Sequence, residues 1–279
     1  MADVDAWNAY LWEPGGRVLR NLLGIRDFDE LRAREYALVF QRNDELRQGV
    51  VTIKQTFDLE HHRAVHRHLF QDVYAWAGEV RTVGLVKGAC EFVDRVDIGR
   101  MCDEAARVAL TTQWGTITRD AFGQAMAEVY AWMNFAHPFR EGNGRTAKVV
   151  LDHLATRSPF ELHYEKVDSD TWNRAAILTM PDRGSTTPQP ALAASLFAAI
   201  AVERAPAANE YPATIDATQL AVSLLGPMYA QRAQVRASEP PSEMPAPEAR
   251  ATRARRLRAG NEVPRSDYDN PGHAPEAER

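Results

Sequence analysis

The chain has 279 residues, a formal net charge of −5, 45% hydrophobic and 25% charged residues. That is the composition of an ordinary globular protein, long enough to bury roughly 70–75% of its unfolded surface. The acidic balance argues against nucleic acid as the main partner. No run of 18 apolar residues is present to span a membrane. The start, MADVDAWNAYLW, carries acids where a secretory leader carries bases. The two cysteines, Cys90 and Cys102, lack CxxC spacing, so a reducing cytoplasm is the expected compartment.

No internal repeat is visible, and most of residues 15–204 reads as helix. In DLEHHRAVHRHLFQDVYAWAG, the residues Leu59, His62, His66, Leu69, Phe70, Val73 and Trp76 recur at three- and four-residue spacing. Asp58 is the candidate N-cap and Gly78 stands just past the predicted end. His62 and His66 are four apart, as in zinc sites. No HExxH and no third ligand accompany them, so they are expected to pack and hydrogen-bond on the inward stripe.

The next stretch, RTVGLVKGACEFV over residues 81–93, reads as a short β-hairpin, with Gly84 and Gly88 supplying turn or bulge conformations. A lone hairpin is marginal in water, so it must lean on the helices or pair with something else. Further helices are predicted at about 97–113, over RDAFGQAMAEVYAWMNFA, and at about 144–157, 169–180 and 189–204. Asp168 or Ser169 would cap the helix at 169, and Trp132 and Met133 read as core. Trp172 and Asn173 read as helix packing before any role at a ligand.

Residues 1–204 thus form the expected folded domain, with 205–237 a linker and one more possible helix. Residues 238–279 are rich in proline and charge and are expected to be disordered. The five arginines between Arg250 and Arg258 read as a solvated charged segment.

The chemistry concentrates in HPFREGNGRTAK, residues His137 to Lys148. Pro138 cannot continue the preceding helix, so His137 sits at its mouth. The turn REGNGR leads into a helix starting near Gly144, and Gly142 and Gly144 permit conformations and close approaches that a Cβ forbids. Backbone N–H groups at such a helix start form an anion cradle. Arg145 and Lys148 lie three apart and share a helix face, adding two positive charges. The ligand implied is a polyphosphate. A Walker A loop is rejected, because Ala147 and Val149 stand where its second glycine and its hydroxyl belong. Glu141 is the one acid of the turn and suits Mg²⁺, which keeps waters and takes phosphate oxygens. His137, as a neutral imidazole, is placed to take the proton of an incoming hydroxyl.

This loop resembles the signature of the Fic (filamentation induced by cAMP) family, HxFx(D/E)GNGRxxR, through His137, Phe139, Glu141, Gly142, Asn143, Gly144 and Arg145. LFQDVYAWAGEVRTVGLVKG resembles the helix and flap of bacterial Fic toxins, and EPGGRVLRNLLGI resembles their entry segment, so the resemblance spans roughly residues 10–200. It implies an all-α fold, a Fic-type helical bundle with a small β-hairpin flap. The implied activity is AMPylation, the transfer of AMP from ATP to a Ser, Thr or Tyr hydroxyl of a target protein. By motif match, His137 would be the general base and Glu141 would hold Mg²⁺. Gly142, Asn143 and Gly144 would form the anion hole, and Arg145 would contact the distal phosphates. Phe139 would anchor the loop. The flap residues Val83, Gly84, Leu85, Val86, Lys87, Gly88, Ala89 and Cys90 would register the target by main-chain pairing.

Two departures stand out. The family's final arginine is Lys148 here, in a chain with four lysines against 29 arginines. The charge stays and the bidentate fork is lost, which leaves the nucleotide preference open. The family's inhibitory pattern, (S/T)xxxE(G/N), is absent from the sequence, since Glu141 alone precedes a Gly or Asn and His137 stands four before it. A toxin-like enzyme restrained by a separate small antitoxin carrying that pattern is therefore expected. Two other readings stand beside it: a Fic-fold transferase of another phosphate-containing moiety, and a catalytically idle binding module.

Overall fold

The structure, a computed structural model, describes residues 2–87 and 90–205. The expectations for residues beyond Ala205, and for Gly88 and Ala89 in the flap, lie outside the described residues. The helices are α1 (Ala2–Asn8), α2 (Phe28–Arg47), α3 (Leu59–Phe70), α4 (Ile98–Thr111), α5 (Arg119–Ala136), α6 (Asn143–Ala155), α7 (Ser169–Leu178) and α8 (Ala191–Ile200). Two antiparallel ribbons accompany them: β1 (Val86–Lys87) with β2 (Cys90–Glu91), and β3 (Phe160–Leu162) with β4 (Ala201–Glu203). Among the described residues no helix is long and apolar enough to cross a membrane. The architecture is all-α with small β additions.

α5 forms the centre. It buries Phe122, Met126, Val129, Tyr130 and Met133, a repeat of three and four that turns one face inward along its whole length. Its partners are α4 and α8 on the sides and α6 beyond the loop that follows it. The α5–α8 approach is close because a glycine faces alanines. A Cβ on Gly123 would stand 2.6 Å from the Ala194 carbonyl oxygen and 2.8 Å from the Ala198 Cβ. A second, smaller core of Leu85, Phe92, Val93, Ile98, Met101, Cys102 and Phe135 lies under the hairpin. The hairpin therefore leans on α4 and the end of α5, as a two-stranded ribbon must.

Side-chain caps begin several helices. Asp58 accepts from the His61 amide at 3.1 Å, and Asp168 accepts from the Thr171 amide at 2.7 Å. Three expectations need correction. The helix begun by Asp58 stops at Phe70, not near Gly78. There Val73 and Tyr74 turn back on the Phe70 carbonyl, and the chain then reaches Gly78 at φ +80°. The helix predicted to run to 204 ends at Ile200, because residues 201–203 extend to pair with 160–162. Gly84 does not adopt a left-handed conformation, and a Cβ there would meet nothing within 4 Å, so the bend does not depend on a glycine at that position.

Candidate active site

His137 ends α5 in the left-handed region, at φ +38° and ψ 60°, an uncommon place for a residue with a Cβ. Its amide closes the helix on the Met133 carbonyl at 3.1 Å. Its own carbonyl accepts from Arg81 Nε at 2.9 Å. The side chain is half-buried beneath Phe92, with ring centroids 3.8 Å apart. Burial, and to a lesser degree the charges of Lys87 and Arg81, push the imidazole down to about 3, against the opposing pull of the Asn134 carbonyl. The ring is neutral at physiological pH, and its buried Nδ1 has no hydrogen-bond partner among the described residues.

The five residues after Pro138 form a closed loop. Phe139 is fully buried, and the Asn143 side chain clamps its main chain from both sides. Asn143 Oδ1 accepts from the Phe139 amide at 2.8 Å, and Asn143 Nδ2 donates to the Phe139 carbonyl at 2.7 Å. The Asn143 side chain is thus a structural clasp, and what it offers a ligand is its backbone N–H. Gly142 takes φ +83°, and a Cβ there would stand 2.3 Å from the Phe70 ring. Both facts require a glycine. Gly144 is exposed in the first turn of α6, and a Cβ there would meet nothing within 4 Å. The protein itself leaves that backbone bare. First-turn N–H groups have no carbonyl within the helix to bond, so this end of α6 presents donors and the positive pole of the helix.

His66 supports the loop from beneath. Its Nδ1 accepts from the Gly78 amide at 2.8 Å, which leaves Nε2 as the donor to the Glu141 carbonyl at 3.0 Å. The ring stacks on Phe139, with centroids 3.9 Å apart, and burial pushes it down to about 3. Both nitrogens of His66 are committed, whereas His62 donates through Nδ1 to the Asp58 carbonyl at 2.8 Å and its buried Nε2 has no partner among the described residues. His61 likewise meets His153, Nε2 to Nδ1, at 3.0 Å.

Glu141 receives the Gly142 amide on Oε1 at 2.9 Å and the Arg145 Nη2 on the same oxygen at 3.3 Å. Among the described residues no donor reaches Oε2, and the side chain is 45% exposed. No three His, Cys, Asp or Glu side chains converge among the described residues. A cage built wholly from protein ligands is therefore not on offer here. A single available carboxylate oxygen beside an anion cradle fits Mg²⁺, which binds through one or two carboxylates, waters and phosphate oxygens.

Arg145 lies between the Phe70 and Tyr36 rings, 4.7 and 4.9 Å from their centroids. Burial alone would lower its pKa, but the carboxylates of Glu35 and Glu141 outweigh that and raise it, so it stays charged. Lys148 lies 4.8 Å from both the Tyr164 and the Trp172 ring centroids, and burial lowers its pKa. Arg145 and Lys148 line the same cavity of about 490 Å³ between α2 and α6, with Tyr36, Asp152, Tyr164 and Arg204. The structure brings the two cations together on one helix face, with Lys148 held against aromatic faces. Trp172 packs on Tyr130, Tyr164 and Phe197, in keeping with a core role.

In the hairpin, Val83 and Leu85 are buried, at 1% and 8% exposure, and serve as roots. Val86 is 67% exposed, Lys87 is exposed and Cys90 is half-buried. Among the described flap residues, Gly84, Val86 and Lys87 are thus the exposed ones. Two residues central to this geometry drew no attention in the sequence, Glu35 and Arg81. Glu35 sits in the inward row Leu31, Glu35, Val39 of α2, and a buried acid in an otherwise apolar row was the available signal. Arg81 is a single basic residue beside a predicted hairpin, and nothing local sets it apart.

Comparison with known proteins bears on this site. The model of the Fic/DOC family matches residues 56–155. The chain is 38% identical over 183 residues to the probable protein adenylyltransferase y4lH of Sinorhizobium fredii, a match covering 63% of this chain and 91% of that protein. It is 33% identical over 178 residues to the protein adenylyltransferase VbhT of Bartonella schoenbuchensis, where the match covers 63% of this chain and 37% of VbhT. Among solved structures, it resembles the BepC protein of Bartonella tribocorum with bound AMPPNP. That match has a TM-score of 0.61 and 20% identity, and covers 71% of this chain and 98% of that one.

Proposed function

The chain belongs to the Fic/DOC family, and on that premise we propose that it is a protein adenylyltransferase, moving AMP from ATP to a hydroxyl side chain of a target protein. One observation carries the reading. A neutral histidine and a bare helix N-terminus stand at the two ends of a loop that the Asn143–Phe139 clasp and the His66–Glu141 bond hold closed. The names of the y4lH and VbhT proteins support the same reaction class.

The chemistry follows from charge and protons. The acceptor oxygen attacks the α-phosphorus, and its proton passes to the His137 imidazole. The bond from the α-phosphorus to the bridging oxygen breaks, and pyrophosphate leaves with that electron pair. Negative charge grows on the phosphate oxygens, where the first N–H groups of α6 and the Arg145 guanidinium stabilise it. Glu141 would hold Mg²⁺, which when bound neutralises part of the phosphate charge. The exposed part of the hairpin, starting at Val86, would align the target chain along β1. His137 needs no deprotonation before it acts, since burial already keeps it neutral.

The toxin-like reading rests on the absence of an (S/T)xxxE(G/N) segment from the sequence. A separate small protein carrying that pattern would then restrain the enzyme, and the cytoplasm would be its place of action. The test uses ATP labelled at the α- or the γ-phosphate. Protein labelled from the α position and not from the γ position supports adenylyl transfer. Label from the γ position would point to transfer of another phosphate-containing moiety, and label from neither would leave a binding module.

A further inference from the structure

Arg145 carries a long side chain with many rotamers, yet four side chains confine it, those of Glu35, Tyr36, Phe70 and Glu141. Glu35 of α2 lies outside the residues matched by the family model. Its carboxylate is buried, with Oε1 2.5 Å from Arg145 Nη2. Its Oε2 accepts the hydroxyl of Tyr74. The Phe70 and Tyr36 ring centroids lie 4.7 and 4.9 Å from the Arg145 Cζ. Nη2 also touches Glu141 Oε1, at the longer distance of 3.3 Å. The other arm, Nη1, is buried and has no hydrogen-bond partner among the described residues. One nitrogen is thus shared by two acids while the other is held ready. A guanidinium is a rigid planar fork, so fixing one arm aims the other.

The two acids also compete. Glu141 stands four before Arg145, in the loop just ahead of α6, and reaches the same nitrogen. Glu35 is the nearer partner and draws the guanidinium toward α2. Glu141 meets Arg145 through one oxygen rather than in a two-pronged ion pair, and its side chain is 45% exposed.

We infer that Glu35 is a positioning residue of the nucleotide site: braced by Tyr74, it pins Arg145 so that Nη1 meets the polyphosphate, and it keeps Glu141 available to the metal. The inference rests on reading the loop as a nucleotide site. An acid against a phosphate-binding arginine could instead act as a brake. Glu35, however, has Leu31 four before it and Tyr36 after it, unlike the inhibitory pattern, and both its oxygens are already committed.

The experiment uses the full chain with Glu35→Gln, Glu35→Asp and Tyr74→Phe. It reads KM for ATP, kcat, the Mg²⁺ concentration at half-maximal rate, and ADP affinity by calorimetry. Glu35→Gln is expected to raise KM for ATP and the Mg²⁺ requirement on the order of tenfold, with kcat within about threefold. Tyr74→Phe should move both in the same direction by about two- to threefold, and Glu35→Asp should recover part of the loss. Unchanged ATP and Mg²⁺ dependence in folded Glu35→Gln overturns the inference. Faster transfer or a lower KM also overturns it, in favour of a brake. Should Glu35→Gln fail to fold, an unchanged KM in Tyr74→Phe overturns it as well. A wild-type chain that transfers nothing sinks the adenylyltransferase reading alone. ADP affinity, weakened in Glu35→Gln or not, then still decides whether Glu35 positions Arg145.

Discussion

The Arg81 guanidinium donates to the main-chain carbonyl of His137 at 2.9 Å, and the same group holds both roots of the hairpin. Its Nη1 reaches the Val83 carbonyl at 2.8 Å and its Nη2 the Val93 carbonyl at 2.5 Å. The Arg81 amide adds a bond to the Pro138 carbonyl at 2.8 Å. The side chain is 2% exposed, so these carbonyls have few alternatives in water. One residue thereby ties the candidate base, in its left-handed conformation, to the segment proposed to align the target.

Arg81→Met removes those donors and leaves buried carbonyls unpaired. It should destabilise the protein by about 3 kcal/mol or more, read by chemical denaturation. Arg81→Lys, which keeps a charge and one or two bonds, should cost less and should lose target labelling before nucleotide binding. A methionine variant as stable as wild type would show that the clamp is not structural.

His137→Ala should reduce transfer on the order of 10²–10⁴-fold while the chain stays folded. The acid limb of kcat/KM, which reports the free enzyme, should show no inflection from this histidine near 6.5, because its folded value is about 3. A rate profile that falls through pH 6.5 in wild type would count against His137 as a buried neutral base.

Gly142→Ala meets two penalties. The left-handed backbone costs roughly 1–2 kcal/mol for a residue with a Cβ, and the methyl would lie 2.3 Å from an aromatic ring that cannot easily move. The loop must shift, so transfer should fall by at least about 100-fold, with a smaller drop in melting temperature. Gly144→Ala meets no protein atom within 4 Å. It should leave stability nearly unchanged and weaken ADP binding, as calorimetry can measure.

Stability should fall as pH drops below about 6.5. His61, His66 and His137 are each pushed down to about 3, mainly by burial. Between those values the unfolded chain binds protons that the folded chain does not, so stability is complete above 6.5 and is lost toward 3. Asp152 acts in the opposite sense. Burial raises it to about 7, so its contribution is present at low pH and fades as pH rises toward 7. Three histidines outnumber one aspartate, and melting temperature measured from pH 7 to 4 should decline. His66→Gln should flatten that decline.

Lys148→Arg keeps the charge between Tyr164 and Trp172 and adds a fork. Stability should change by less than about 1 kcal/mol, since either cation can lie on those rings. KM for ATP should drop several-fold if this side chain reaches the distal phosphates. An unaltered KM would restrict Lys148 to its aromatic contacts.

Local pattern carried the reading of the sequence a long way, and the reasons are physical. Helix caps act over three residues, so Asp58 and Asp168 announce their helices. The apolar stripe of α5 repeats every three to four residues, so its span over Arg119–Ala136 was legible. The loop from His137 to Lys148 shows itself because its parts are neighbours in the chain. Extension of the chain at 201–203 was not legible, because it follows from a partner some forty residues earlier.

What the sequence determined by itself is therefore the helical character, the hairpin and the family-type loop between α5 and α6, all properties of residues within one or two turns of each other. What only the tertiary structure decided is the state of that loop. Glu35, Tyr74 and Arg145 meet from three separate segments, and Arg81 joins His137 across 56 positions. Burial then sets the charge of each group, lowering His137 and opposing the carboxylates at Arg145, and burial is a property of the packed chain.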